Sequence, residues 1–140
     1  MRWTLQPESN ETSKIGATLT KNAPWRDDAI AAVRTLKAGG VILYPTDTVW
    51  GLGCRADDAE ALEKLYALKG REGAQPSLVL VDADGLLEEY AHPVPEIAWD
   101  LLRESAPESR PMTLVLPGGR DVAPALLAED GSLAIRVVNE

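Results

Sequence analysis

The residues of this chain best suited to chemistry are hydroxyls, a carboxylate and cations at short spacing. Thr46, Asp47 and Thr48 follow Pro45 at the end of the apolar run Gly40-Val41-Ile42-Leu43-Tyr44. Proline has no amide donor, so a strand ladder should stop there. Two hydroxyls and a carboxylate then stand at the mouth of a sheet, where open α/β folds bind ligands. The same tetrapeptide also suits an ordinary turn in which these side chains bond their own backbone. Lys69 and Arg71 sit at alternate positions just past a helical pattern. Alternate cations in an extended segment can hold a polyphosphate, the guanidinium through its planar fork and the ammonium as a mobile point charge. They equally suit a helix C-terminus, where cations meet free carbonyls and the negative end of the dipole. Arg136 interrupts the apolar strand Leu133-Ala134-Ile135-Arg136-Val137-Val138. A buried arginine there would need an anionic partner, and an edge position with a solvated side chain would also account for it.

No nucleophile stands out. Cys54, the single cysteine, reads as a small buried apolar residue beside a glycine. A lone cysteine precludes a disulfide within the chain and suits a reducing cytoplasm. His92, the only histidine, precedes Pro93 in a surface connection with no serine, cysteine or ligand set beside it. Zinc spacings, a P-loop and a dinucleotide-binding glycine fingerprint are all missing from the sequence. The four tryptophans are scattered and read as packing residues.

The net charge of −8, from 14 basic and 22 acidic residues, leaves no readable basic face. Contact with RNA would therefore be weak, local or indirect. Nothing approaches the roughly 20 apolar residues that span a bilayer, and the N-terminus lacks a secretory pattern. The expected location is cytoplasmic, with no membrane partner.

The elements that must position these groups are legible from patterning. Residues 1–24 read as a polar N-terminal extension with one strand-like patch at Ile15-Gly16-Ala17-Thr18-Leu19-Thr20, and residues 25–140 as one α/β domain. A helix is predicted from Arg26 to Lys37, with acidic residues at its start and Gly39-Gly40 at its end. Val41 to Tyr44 should be a strand covered on both faces. Asp57 and Asp58 open a second helix that ends near Leu68, and Leu78 to Val81 form another buried strand. A short helix is expected around Leu86 to Tyr90 and a stronger one from Pro95 to about Glu104. Strands at Met112–Leu116 and Ser132–Val138 complete the pattern, with one helical turn at Pro124–Leu127 between them.

Taken in order, these segments resemble the YrdC family of threonylcarbamoyl-adenylate synthases. Gly39 to Gly53 is similar to the family's opening strand and threonine-binding turn, and Lys69-Gly70-Arg71 to its Lys-x-Arg element. Met112 to Leu116 resembles its mid-chain strand, and Ser132 to Val137 the following strand with its arginine. The resemblance implies a YrdC-like twisted mixed sheet, flanked by helices around a concave substrate cavity. It also implies the activity: L-threonine, bicarbonate or CO2, and ATP with Mg²⁺ become threonylcarbamoyl-adenylate, with release of pyrophosphate. Downstream tRNA-modifying proteins would use the product. By the same resemblance Thr48 and Arg136 bind threonine, while Lys69, Arg71, Gln75 and Ser132 contact ATP. Lys69 and Arg71 are the catalytic cations, and Thr46, Asp47 and Thr113 belong to the wider pocket. No metal ligand is assigned.

The sequence departs from the family at three points. Glu108-Ser109-Arg110-Pro111 replaces a Trp-Pro-Gly-Pro, Leu80 stands where some members carry histidine, and the family's Ser-x-Asn segment has no counterpart. A C-terminally short domain is expected on that ground. The alternative activity is that of an incomplete YrdC-like module binding nucleotide or RNA.

Overall fold

The computed structural model describes residues 25–46, 49–70, 76–104 and 112–138. The expected strand patch near the N-terminus lies outside them, as do Asp47, Thr48, Arg71 and Gln75.

Helix α1 (Arg26–Lys37) carries Asp27 and Asp28 in its first turn and Arg34 and Lys37 in its last, both matched to the dipole. It leads into a two-stranded antiparallel ribbon, β1 (Ile42–Tyr44) and β2 (Gly51–Gly53), with Tyr44 opposite Gly51 and Ile42 opposite Gly53. This corrects the expectation of a strand covered on both faces. Among the described residues β1 pairs only with β2, and Leu43 at its centre is 62% exposed. Period-2 alternation explains the difference: Ile42 and Tyr44 point one way and Leu43 the other. The ribbon is anchored through Val41 and Leu52, which pack on the main core.

Helix α2 (Ala59–Leu68) starts at Ala59 because Asp58 is its N-cap, accepting from Ala61 N at 2.9 Å. Asp57 lies outside the helix and takes a two-pronged contact from Arg55 at 2.6 and 2.9 Å. At the other end Gly70 adopts φ 61°, and its amide donates to Ala67 O at 3.1 Å, which closes the helix in the left-handed conformation glycine tolerates.

The second sheet has three strands in the order β3–β5–β4: β3 (Val79–Val81), β5 (Leu133–Val137) and β4 (Thr113–Leu116). β5 runs parallel to β3 and antiparallel to β4, so the sheet is mixed as expected. Leu133, Ile135 and Val137 point into one core with Val79, Val81, Leu114 and Leu116. Leu62, Leu65 and Tyr66 of α2 enter the same core, joined by Leu87, Ala91 and Ala98. Leu87 belongs to the short α3 (Leu87–Tyr90), which continues a 3-10 turn at Asp84–Leu86, and Ala98 to α4 (Glu96–Glu104). The predicted helical turn is 3-10 as well, at Pro124–Leu126. His92 is exposed, as expected. The packing role foreseen for the tryptophans holds for Trp99 at the core's edge, whereas Trp25 and Trp50 are exposed. Among the described residues no helix is long and apolar enough to cross a membrane.

Candidate functional site

Alternation along β5 buries Leu133, Ile135 and Val137 and turns Ala134 and Arg136 to the other, half-open face. Arg136 therefore sits in a row across the sheet, between Leu80 on β3 and Thr113 on β4. Its Nε donates to Thr113 Oγ1 at 2.9 Å. One alternative drawn from the sequence, the edge position, is corrected here. Among the described residues β5 is the middle strand of its sheet, not an edge, and the group that holds the guanidinium is a neutral hydroxyl. A hydroxyl satisfies Nε and leaves the positive charge uncompensated by that bond.

The β1–β2 ribbon carries an aromatic ring, Tyr44. The Tyr44 ring lies along β2: a Cβ on Gly51 would stand 2.9 Å from its Cζ, and one on Gly53 2.8 Å from its Cε1. Only glycine allows that approach at both positions. Burial pushes the Tyr44 phenol above its usual pKa, and the Arg136 guanidinium partly opposes the shift. Sequence reasoning read Tyr44 as strand only. The alternation Gly51-Leu52-Gly53 was the available signal, since two glycines on one face of a strand make room for a large cross-strand neighbour.

Lys69 is the C-cap residue of α2 and is exposed. It lies close enough to Cys54, the residue following β2, to influence its thiol. Burial raises the Cys54 pKa, the Asp58 carboxylate raises it further, and Lys69 pulls it down. The helix-cap reading and a role over an anion are thus compatible for Lys69.

Thr46 is held in a local turn, its hydroxyl donating to Val49 O at 2.5 Å and accepting from Val49 N at 3.1 Å. Ser132 precedes β5, four residues before Arg136 and roughly 13 Å along the strand. Its amide donates to Asp130 Oδ1 at 2.9 Å, and hydrogen bonding from the Ser132 side chain holds the Asp130 carboxyl below its usual range. The described residues thus bring Arg136 and Thr113 into contact, while the Tyr44 ring lies on the glycines of β2. Lys69 approaches the far end of the ribbon, and Ser132 stands at the opposite end of β5.

Arg136 is thus a half-buried arginine in the middle strand of the described sheet, held by a threonine. The Sua5/YciO/YrdC family, described under telomere recombination, matches residues 34–140. The chain belongs to this family. It is 37% identical over 106 residues to a threonylcarbamoyl-AMP synthase of Halorhodospira halophila, covering 76% of this chain and 54% of the relative. To the protein of the same name from Chromohalobacter salexigens it is 39% identical over 111 residues, covering 79% and 59%. Among solved structures, P. abyssi Sua5 complexed with L-threonine superposes with a TM-score of 0.69 at 31% identity, covering 76% of this chain and 31% of that one. The chain thus spans little more than half the length of the two bacterial relatives. Its mixed α/β architecture is that of the Sua5/YciO/YrdC family.

Proposed function

We propose that this protein is a threonylcarbamoyl-AMP synthase, or the part of one that carries the amino-acid subsite. The observation that carries the reading is Arg136, turned to the half-open sheet face and oriented through Nε by Thr113. Its terminal nitrogens match the spacing of a carboxylate, which a guanidinium binds by two parallel hydrogen bonds. The names of the relatives and the L-threonine held by the P. abyssi protein support threonine as that carboxylate's owner.

In this scheme Arg136 and Thr48 hold threonine, with Thr46, Asp47 and Thr113 shaping the pocket. The amine adds to CO2 with loss of a proton, or condenses with bicarbonate with loss of water, to give a carbamate, whose oxygen attacks the α-phosphorus of ATP and expels pyrophosphate. Lys69 and Arg71 offset charge on the phosphates, and Gln75 and Ser132 contact the nucleotide. Mg²⁺ enters as part of the MgATP substrate and neutralises phosphate oxygens. No covalent enzyme intermediate is needed; rate comes from placing three reactants together and stabilising developing charge. The setting is cytoplasmic, with downstream tRNA-modifying proteins consuming the product and at most a weak RNA contact.

The test is pyrophosphate release from MgATP, with L-threonine and bicarbonate supplied together and separately. Release that requires both supports the synthase. Saturable ATP or RNA binding without threonine-dependent release would favour a binding module instead.

A further inference from the structure

Strand register lays out the sheet face that carries Arg136. Across the β4–β5 pair Thr113 lies opposite Arg136 and Val115 opposite Ala134, while Leu80 lies beside Arg136 on β3. Alternation sends Leu114, Leu116, Leu133 and Ile135 to the core, so Thr113, Val115, Ala134 and Arg136 share the other face. Val115 is 68% exposed there, and Ala134 is half-buried. The bond from Arg136 Nε to Thr113 Oγ1, 2.9 Å long, draws the guanidinium toward β4 and away from Leu80. On that side its diagonal neighbour is Val115, and diagonal pairs roughly 7–8 Å apart are within reach of a long side chain. Ala134, two residues before Arg136 on the same strand, adds only a methyl and leaves room above β5. A cation with a hydroxyl partner therefore borders a small apolar floor.

We propose that Val115 and Ala134 are specificity-determining residues, which together receive the apolar side-chain end of a small α-amino acid whose carboxylate lies on Arg136. This rests on the reading of Arg136 as the carboxylate's partner. In an α-amino acid the side chain branches from the carbon that bears the carboxylate, so whatever borders the guanidinium fork meets the side chain first. A strongly polar side chain would lose water on a floor of valine and alanine without gaining a hydrogen bond from it. A methyl gains burial instead. L-Threonine and L-serine differ by one methyl, and this floor favours the former.

The experiment is calorimetric titration of L-threonine and L-serine, with a non-hydrolysable ATP analogue and Mg²⁺ present, into the wild-type protein, Val115→Ala and Ala134→Val. The wild-type protein should prefer L-threonine by about fourfold, the value of one methyl taken out of water. Val115→Ala should lose most of that preference while L-serine affinity stays unchanged. Its side chain is exposed, so the thermal midpoint should hold. Ala134→Val fills the space above β5 and should weaken L-threonine more than L-serine. A preference unchanged by Val115→Ala, or an equal loss for both amino acids, would overturn the proposal. Equal affinity for the two amino acids in the wild-type protein would also overturn it and leave the carboxylate reading standing. If the wild-type protein binds nucleotide but neither amino acid, the reading of Arg136 fails first and takes this inference with it.

Discussion

Arg136 and Thr113 are directly opposite one another across the β5–β4 pair, and the Nε of one donates to the Oγ1 of the other at 2.9 Å. The bond ties Arg136 to the strand register: a slip of one residue would send it into the core. Thr113→Val keeps the branched shape and removes the acceptor. Leaving Nε unsatisfied at a half-buried site should cost about 1 kcal/mol of stability, measured by urea denaturation. Threonine affinity should fall as well, because the fork loses its fixed orientation, and Thr113→Ser should restore both. Full threonine affinity in Thr113→Val would show that Arg136 does not depend on this bond.

The glycine pair on β2 makes a second prediction. Ala at position 53 would place a methyl 2.8 Å from Tyr44 Cε1, closer than real Cβ contacts come. Overpacking of that kind costs roughly 1–3 kcal/mol. Gly53→Ala should therefore lower the unfolding free energy in the wild-type background and much less in Tyr44→Ala, where the ring is gone. Additive losses in the double variant would mean that the ring can move aside freely.

How much of this was legible in the sequence differs by element. The helices were readable because caps and periodicity agree: Asp58 at the start of α2 and Gly70 at its end bound a stripe of Leu62, Leu65 and Tyr66. Arg136 was visible as a misfit in an apolar strand. Its central position and its hydroxyl partner were not, because strand order and register depend on residues 20 or more apart in the chain. Val41 to Tyr44 misled for a simpler reason: a short apolar run looks the same in a two-sided strand and in a ribbon with one exposed face. Tyr44 and Lys69 gained their neighbours only through that ribbon, since Cys54 and the two glycines of β2 lie beyond the turn.

Tyr66 and Ser77 carry opposite expectations. The buried Tyr66 hydroxyl accepts from Ser77 N at 3.1 Å and donates to Ala125 O at 3.3 Å, so it joins the approach to β3 to the 3-10 turn before β5. Tyr66→Phe should destabilise the protein by about 1–2 kcal/mol. Ser77 Oγ, in contrast, is buried with no hydrogen-bond partner among the described residues. Ser77→Ala removes a desolvated oxygen without a bond to lose, so its effect should be neutral or stabilising. Paired thermal melts read both, and a destabilised Ser77→Ala would mean that the hydroxyl has a partner in the folded chain.

Cys54 gives a pH-dependent test of where Lys69 lies. Burial and the Asp58 carboxylate raise the thiol's pKa and Lys69 opposes them. The thiolate is the reactive form, so alkylation by iodoacetamide at neutral pH should be slower than for a free thiol, with its rate rising at higher pH. Lys69→Ala removes the opposing charge and should move that rise further up; Asp58→Asn keeps a capping residue and should move it down. The linkage to stability has a definite sign. A thiol harder to ionise when folded contributes fully below the ordinary thiol pKa, and its contribution is lost as pH rises through the folded value. Alkaline destabilisation should accordingly shrink in Cys54→Ala. A pH–rate profile unchanged by Lys69→Ala would place the ammonium away from Cys54.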